Sequence, residues 1–161
     1  MALTVGKVTI NTALTETKAI TGFTTASYST TYQSSVSPTI SGAACNRPYF
    51  VQSTLASGAT VTIDLRSLTE PVFGEALTPA RAYTVHLKII TAPGRYMPGA
   101  SNALVWPFND ASDAINLNAG DSFAYGSATA ATIDATNRNV RIINTHGSTT
   151  LTYTIVFLLG V

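Results

Sequence analysis

Residues 151–160, LTYTIVFLLG, decide the fold class. Leu151, Tyr153, Ile155, Phe157 and Leu159 occupy every second position, with Thr152 and Thr154 between them. Successive side chains of an extended strand point to opposite faces of a sheet, so this pattern sets one apolar face against a core and one hydroxyl face outward. Val156 and Leu158 then make the second face apolar too, which predicts a strand covered on both sides near its end. The same period recurs upstream. In ATVTIDLRS, 59–67, Val61, Ile63 and Leu65 alternate with Thr60, Thr62, Asp64 and Arg66. In YTVHLKII, 83–90, Tyr83, Val85, Leu87 and Ile89 alternate with Thr84, His86 and Lys88. Val140 and Ile142 add a shorter case, and in RPYFVQSTL, 47–55, Phe50, Gln52 and Thr54 oppose Tyr49, Val51 and Leu55.

Turn formers separate these runs. Ala56-Ser57-Gly58-Ala59 and Asn118-Ala119-Gly120-Asp121 each read as the turn of a β-hairpin, with glycine or asparagine supplying a positive φ. Asn137-Arg138-Asn139 and His146-Gly147-Ser148 bracket a further strand. APGRYMPGASN, 92–102, holds two prolines and two glycines and reads as a loop or an edge excursion. The best helical candidate is PVFGEAL, 71–77, one or two turns at most. About eight short strands and no long helix predict an all-β chain folded as a two-sheet antiparallel sandwich, jelly-roll-like in topology.

Composition narrows the work such a chain can do. Its 161 residues suffice for one domain with a core, and 45% are hydrophobic while 11% are charged. Soluble domains carry about 25% charge. Here 26 threonines and 14 serines stand in for it, which suits surfaces covered by neighbouring subunits. The net charge is +1 and the cations are scattered, so no nucleic-acid footprint is expected. No apolar run reaches the roughly 18 residues of a spanning helix, and MALTVGKVTI lacks a secretory pattern, so synthesis in the cytoplasm and no membrane partner are expected. The single cysteine, Cys45, excludes an internal disulfide framework and reads as a buried free thiol. Residues 1–46 are rich in Thr and Ser and read either as a flexible, low-complexity arm or, the favoured reading, as an extended arm or edge strands ordered by a partner subunit; residues 47–161 are expected to form the sandwich.

No stretch carries a convincing catalytic, cofactor or metal motif. LTEPVFGEAL, 68–77, concentrates acids near a proline, a phenylalanine and a glycine, but Glu70, Glu75 and Asp64 lack any sign of the separation that paired carboxylates need across a sugar. The stretch reads as an anchored connection between strands, with Pro71 ending a ladder, Phe73 as core anchor and Gly74 as bend. Asn109, Asp110 and Asp113 lack the pattern of a calcium loop; Asp110 reads as a turn former and Asp113 as entering a strand. His86 and His146, the only histidines, show no metal or nucleophile spacing. Aromatics around 92–126 offer a contact region: Arg95 and Tyr96 beside glycine and proline are expected at an exposed tip, and Trp106 and Phe108, with Tyr125 nearby, either stack on sugar rings or anchor a subunit interface.

From residue 47 onward the order of elements resembles small structural proteins of tailed bacteriophages and prophages. The resemblance is carried by a turn with Asp64, Leu65, Leu68, Phe73 and Gly74, a second turn with Gly120, Asp121 and Phe123, and a closing segment with Ile142, Asn144, Gly147, Tyr153, Ile155 and Gly160. It implies a non-enzymatic virion component: a head decoration or cement protein, or a tail-associated subunit, assembled in the host cytoplasm. Implied partners are copies of itself, with three the expected number, the major capsid or other virion proteins, and a host surface glycan in the tail-fibre alternative. No cofactor is implied.

Overall fold

The computed structural model describes residues 5–7, 10–19, 27–36, 39–41, 47–69, 74 and 76–161. Four strands precede the sandwich: β1 (Val5–Lys7), β2 (Ile10–Ala19), β3 (Ser27–Val36) and β4 (Thr39–Ser41). β1 pairs with β4 and β2 with β3, and none of them joins a larger sheet. Glu70, Pro71, Val72, Phe73, Glu75 and Cys45, with the readings attached to them, lie outside the described residues.

Eight strands build the body: β5 (Arg47–Leu55), β6 (Thr60–Asp64), β9 (Arg81–Ile89), β10 (Gly94–Pro98), β11 (Ile115–Leu117), β12 (Ser122–Thr132), β13 (Asn139–Asn144) and β14 (Leu151–Gly160). They lie in two antiparallel sheets, β12-β9-β14-β5 and β11-β10-β13-β6. Counted along the body, the first, eighth, third and sixth strands make one sheet and the second, seventh, fourth and fifth the other. That interleaving is the jelly roll, two Greek keys closed into a sandwich. Between β6 and β9, β7 (Leu68–Thr69) pairs antiparallel with β8 (Ala76–Leu77), while most of 71–77, where helical turns were expected, lies outside the described residues. Gly74 between these two strands has φ +71°, and Leu68 and Leu77 are paired and buried. The connection is therefore anchored, through its two leucines.

Two expectations need correction. Ala56–Ala59 and Asn118–Asp121 do not close hairpins: β5 and β6, and likewise β11 and β12, belong to different sheets. A tight turn reverses the chain, but the twist of the flanking strands and the burial of both faces decide which sheet receives the next strand. The stretch 92–102 is not a loop or an edge either. Gly94–Pro98 is an interior strand, paired with β11 on one side and β13 on the other. Its glycine is demanded by packing: a Cβ at Gly94 would stand 3.1 Å from side-chain carbons of both Ile89 and Leu151, in the facing sheet. Proline is tolerated because Pro98 closes the strand, where its missing N–H spares the ladder.

The core follows the sequence period. Val85, Leu87 and Ile89 of β9 and Leu151, Ile155, Phe157 and Leu159 of β14 are wholly inaccessible to solvent. They pack against Tyr96, Val140, Ile142 and Ile63 of the other sheet in one continuous cluster. The end of β14 is covered on both faces, as the run Phe157–Gly160 is buried throughout. A register shift where β14 meets β9, at Leu158/Leu159, lets Leu159 oppose Ala82. Phe50, Gln52 and Thr54 of β5 face outward, and Phe50 is 51% exposed.

Candidate functional site

One flank of the sandwich, between the edge strands β11 and β12, is covered by the connection 99–114. Its path is set at the start of β13. The carbonyl of Asn139 accepts hydrogen bonds from the N–H groups of Gly99 (2.8 Å) and Leu104 (2.9 Å). The Asn139 amide donates to the carbonyl of Ser101 (2.9 Å), and the N–H groups of Arg138 and Asn139 both donate to the carbonyl of Asn102. Asn102 has φ +48°, a left-handed conformation that asparagine tolerates better than most residues. Gly99 has no room for a side chain, since a Cβ would run into Cβ and the carbonyl of Asn139.

Over this flank the connection brings aromatics together. Tyr96 is completely buried on the inner face of β10, with ring centroids 5.5 Å from Phe108 and 6.1 Å from Phe123. Its hydroxyl has no protein partner, and burial pushes its ionisation above the ordinary phenol range. Trp106, half-buried and joined to Pro107 by a cis peptide bond, meets the ring of Tyr125 edge-on at 5.2 Å. Tyr125 is 37% exposed. Arg95, on the opposite face of β10 from Tyr96, donates from Nε to Oδ1 of Asn116 at 2.8 Å.

The expected contact residues therefore divide. Tyr96 is a core residue with no free ring face, and Arg95 is a strand residue tied to the neighbouring strand, so neither forms an exposed tip. Phe108 and Trp106 both pack against the core cluster, and Tyr125 is the accessible end of the aromatic group.

The acids behave as turn formers. Oδ1 of Asp110 accepts from the N–H and the hydroxyl of Ser112, which holds its carboxyl below the usual range. Oδ2 of Asp113 accepts from the N–H groups of Asn109 and Asp110. Asp134 accepts from the backbone and hydroxyl of Thr136 and from Asn137, and these bonds hold its ionisation at about 2. Asp64 accepts from the N–H of Arg66 and stands 3.5 Å from Nε of Arg138, close enough for an ion pair but without hydrogen-bond alignment. Among the described residues, no group of three or more His, Cys, Asp or Glu is placed to hold a metal ion, and no helix is long and apolar enough to cross a membrane.

The most heavily bonded polar side chain near the core is one that sequence reasoning left without a role. Asn144, 1% exposed at the end of β13, donates from Nδ2 to the carbonyls of Leu55 (3.1 Å), Ala56 (3.0 Å) and Thr149 (2.8 Å). Its Oδ1 accepts from the N–H of His146 at 3.0 Å. His146 Nδ1 in turn accepts from the N–H groups of Ser148 and Thr149, and Ser57 donates to the His146 carbonyl. This network ties the β5–β6 corner to the β13–β14 corner, so both histidine and asparagine serve architecture. Asn144 and Gly147 belong to the motif that carried the phage resemblance, which was the available signal.

The body is thus an eight-stranded jelly roll with a filled core, corners held by side-chain amides and carboxylates, and an aromatic flank. Comparison with known proteins adds little to it. No family model matches the chain, and no curated protein matches it. Among solved structures, the coat protein of Tobacco streak virus aligns over 70% of this chain and 87% of its own, with 9% identity and a TM-score of 0.32. A likeness of that size is too distant to carry an argument about function.

Proposed function

We propose that this chain is a non-enzymatic structural protein of a tailed-bacteriophage virion, a head decoration or cement protein that assembles as a homo-oligomer, with three copies expected, on the major capsid protein. The observation that carries the assembly reading is the N-terminal ribbon. Its strands pair only with each other among the described residues. A two-stranded ribbon is marginally stable alone in water, and a third strand or a covering surface is what makes one persist. The sparse charge and abundant hydroxyls fit the same role, because contact between such surfaces strips water from few ions. The turn and strand residues from Asp64 to Gly160 that resemble phage structural proteins point to the virion. Mechanistically, each copy adds apolar and main-chain contacts to its neighbours, and the shell gains by their number.

Mass spectrometry of purified particles from the phage or induced prophage carrying the gene tests this, together with light scattering of the isolated protein. The expected result is the chain in stoichiometric amount in particles and an oligomer in solution. A stable monomer absent from particles would sink it.

A second reading, a glycan-binding module of a tail fibre, is favoured by the exposed ring of Tyr125 beside the half-buried Trp106. Glycan-array binding that disappears in Trp106→Ala would support it over the first.

A further inference from the structure

We propose that residues 5–41 of one copy lie along the free edge of β5 in a second copy and cover its Phe50. This rests on the assembly reading above and adds where the copies meet.

The argument starts from register. The pairs Val5–Ser41, Gly6–Ile40 and Lys7–Thr39 continue the same count that runs from Ile10–Val36 to Ala19–Ser27. The two ladders are thus in phase. At about 3.4 Å per residue, the ten positions of β2 and β3 span about 34 Å. The larger apolar residues gather at one parity, which holds Gly6–Ile40, Ile10–Val36 and Leu14–Tyr32 together with Thr12–Ser34, Glu16–Thr30 and Lys18–Tyr28. The other parity holds Val5–Ser41 and Lys7–Thr39 and otherwise only small or polar pairs, from Asn11–Ser35 to Ala19–Ser27.

The body offers one matching edge. β5 is nine residues long and, among the described residues, is paired only with β14. The other edges are less suited: β6 has five residues and β11 three, while β12 is broken by a register shift between Gly126 and Ala131 and flanked by Trp106 against Tyr125. A long free edge presents a row of main-chain donors and acceptors, which invites a further strand. The ten residues of β3, SYSTTYQSSV, match the length of β5 and carry no charge, while Arg47 is the sole charge on β5. Phe50, at 51% exposure, stands in the middle of that edge on the outer face of the sheet. Among the described residues neither β2 nor β3 pairs with β5 of its own chain, and the proposal assigns that edge to the ribbon of another copy.

A photo-crosslinking amino acid at position 50 of the full-length chain, in a mixture of ¹⁴N- and ¹⁵N-labelled protein, reads this directly. The expected product is a mixed-isotope crosslink from position 50 to a peptide within residues 5–41. Crosslinks within a single-isotope copy, between two β5 segments, or to any other region would overturn the proposal, as would none at all. Phe50→Asp supplies a second measurement. It is expected to weaken self-association about tenfold or more, as loss of a central interface aromatic does, while Thr62→Asp on the exposed face of β6 leaves it unchanged. Equal effects of the two would also overturn it. An oligomer crosslinked elsewhere defeats only this placement, whereas a monomer by light scattering defeats the assembly reading as well.

Discussion

Replacing Asn144 with alanine should cost more than any other single polar truncation in the body. The side chain satisfies three carbonyls and one N–H from two separate corners. Ala56 and Thr149 are exposed, so water replaces the amide at their carbonyls. The Leu55 carbonyl and the His146 N–H lie at partly buried residues beside a side chain that is 1% exposed, where water enters poorly. Leaving a buried group unpartnered costs about 1–3 kcal/mol, and two such groups give a loss of about 2–6 kcal/mol. For a chain of this size each kcal/mol moves the melting temperature by about 2–4 °C, so Asn144→Ala should melt about 4–24 °C lower. Asn144→Asp sharpens the test. Its carboxylate would face three carbonyl oxygens, so the native state favours the protonated acid and raises its ionisation above the unfolded value. A raised carboxyl contributes stability that is present at low pH and lost as pH rises from about 4 upward. Calorimetry and urea unfolding between pH 3 and 7 measure both variants. A loss below about 0.5 kcal/mol for the alanine variant, the range of ordinary surface changes, or a pH-independent gap between the two variants, would refute the reasoning.

Phe157→Ala removes an inaccessible ring from the centre of β14 and should destabilise by about 3–5 kcal/mol in urea unfolding, with the oligomer contacts untouched. Gly99→Ala forces a methyl group into the backbone of Asn139, whose carbonyl oxygen lies 2.8 Å from the new Cβ. It should cost about 1–3 kcal/mol and open the connection 99–114 to proteolysis, with a red shift of Trp106 fluorescence. Asp134, held at about 2 by its bonds to Thr136 and Asn137, contributes stability that is complete above about pH 4 and declines as pH falls toward 2. Asp134→Asn should flatten that part of the acid unfolding curve, and carboxyl NMR of the native protein should place the Asp134 titration near its lower end.

Much of the candidate site escaped the sequence because it is made of relations between distant residues. Aromatics at 96, 106, 108 and 125 were visible as a group. Which of them faces solvent depended on Gly94–Pro98 being an interior strand, where a Cβ at Gly94 would crowd Ile89 and Leu151 of the facing sheet. Proline and glycine in 92–102 mark places where a normal ladder is inconvenient, and a close inter-sheet approach leaves the same mark as a loop. Asn144 showed no signal of its role beyond its place in a motif, since its partners lie up to 89 residues away.

The sequence by itself determined most of the body's strands, though not Gly94–Pro98. Alternation with a period of two is a property of each segment's own side chains, and it placed the inner faces of β6, β9, β13 and β14 and the double cover at the end of β14. It also determined the low charge and the hydroxyl-rich surface. Only the tertiary structure decided how the strands are shared between sheets. Ala56–Ala59 and Asn118–Asp121 look locally like hairpin turns, yet both carry the chain across the sandwich. The physical reason is that a turn specifies a reversal within a few residues, whereas the choice of sheet is settled by which apolar faces can be buried together. That choice brought Tyr96 inside, tied two corners through Asn144, and left the edge of β5 unpaired.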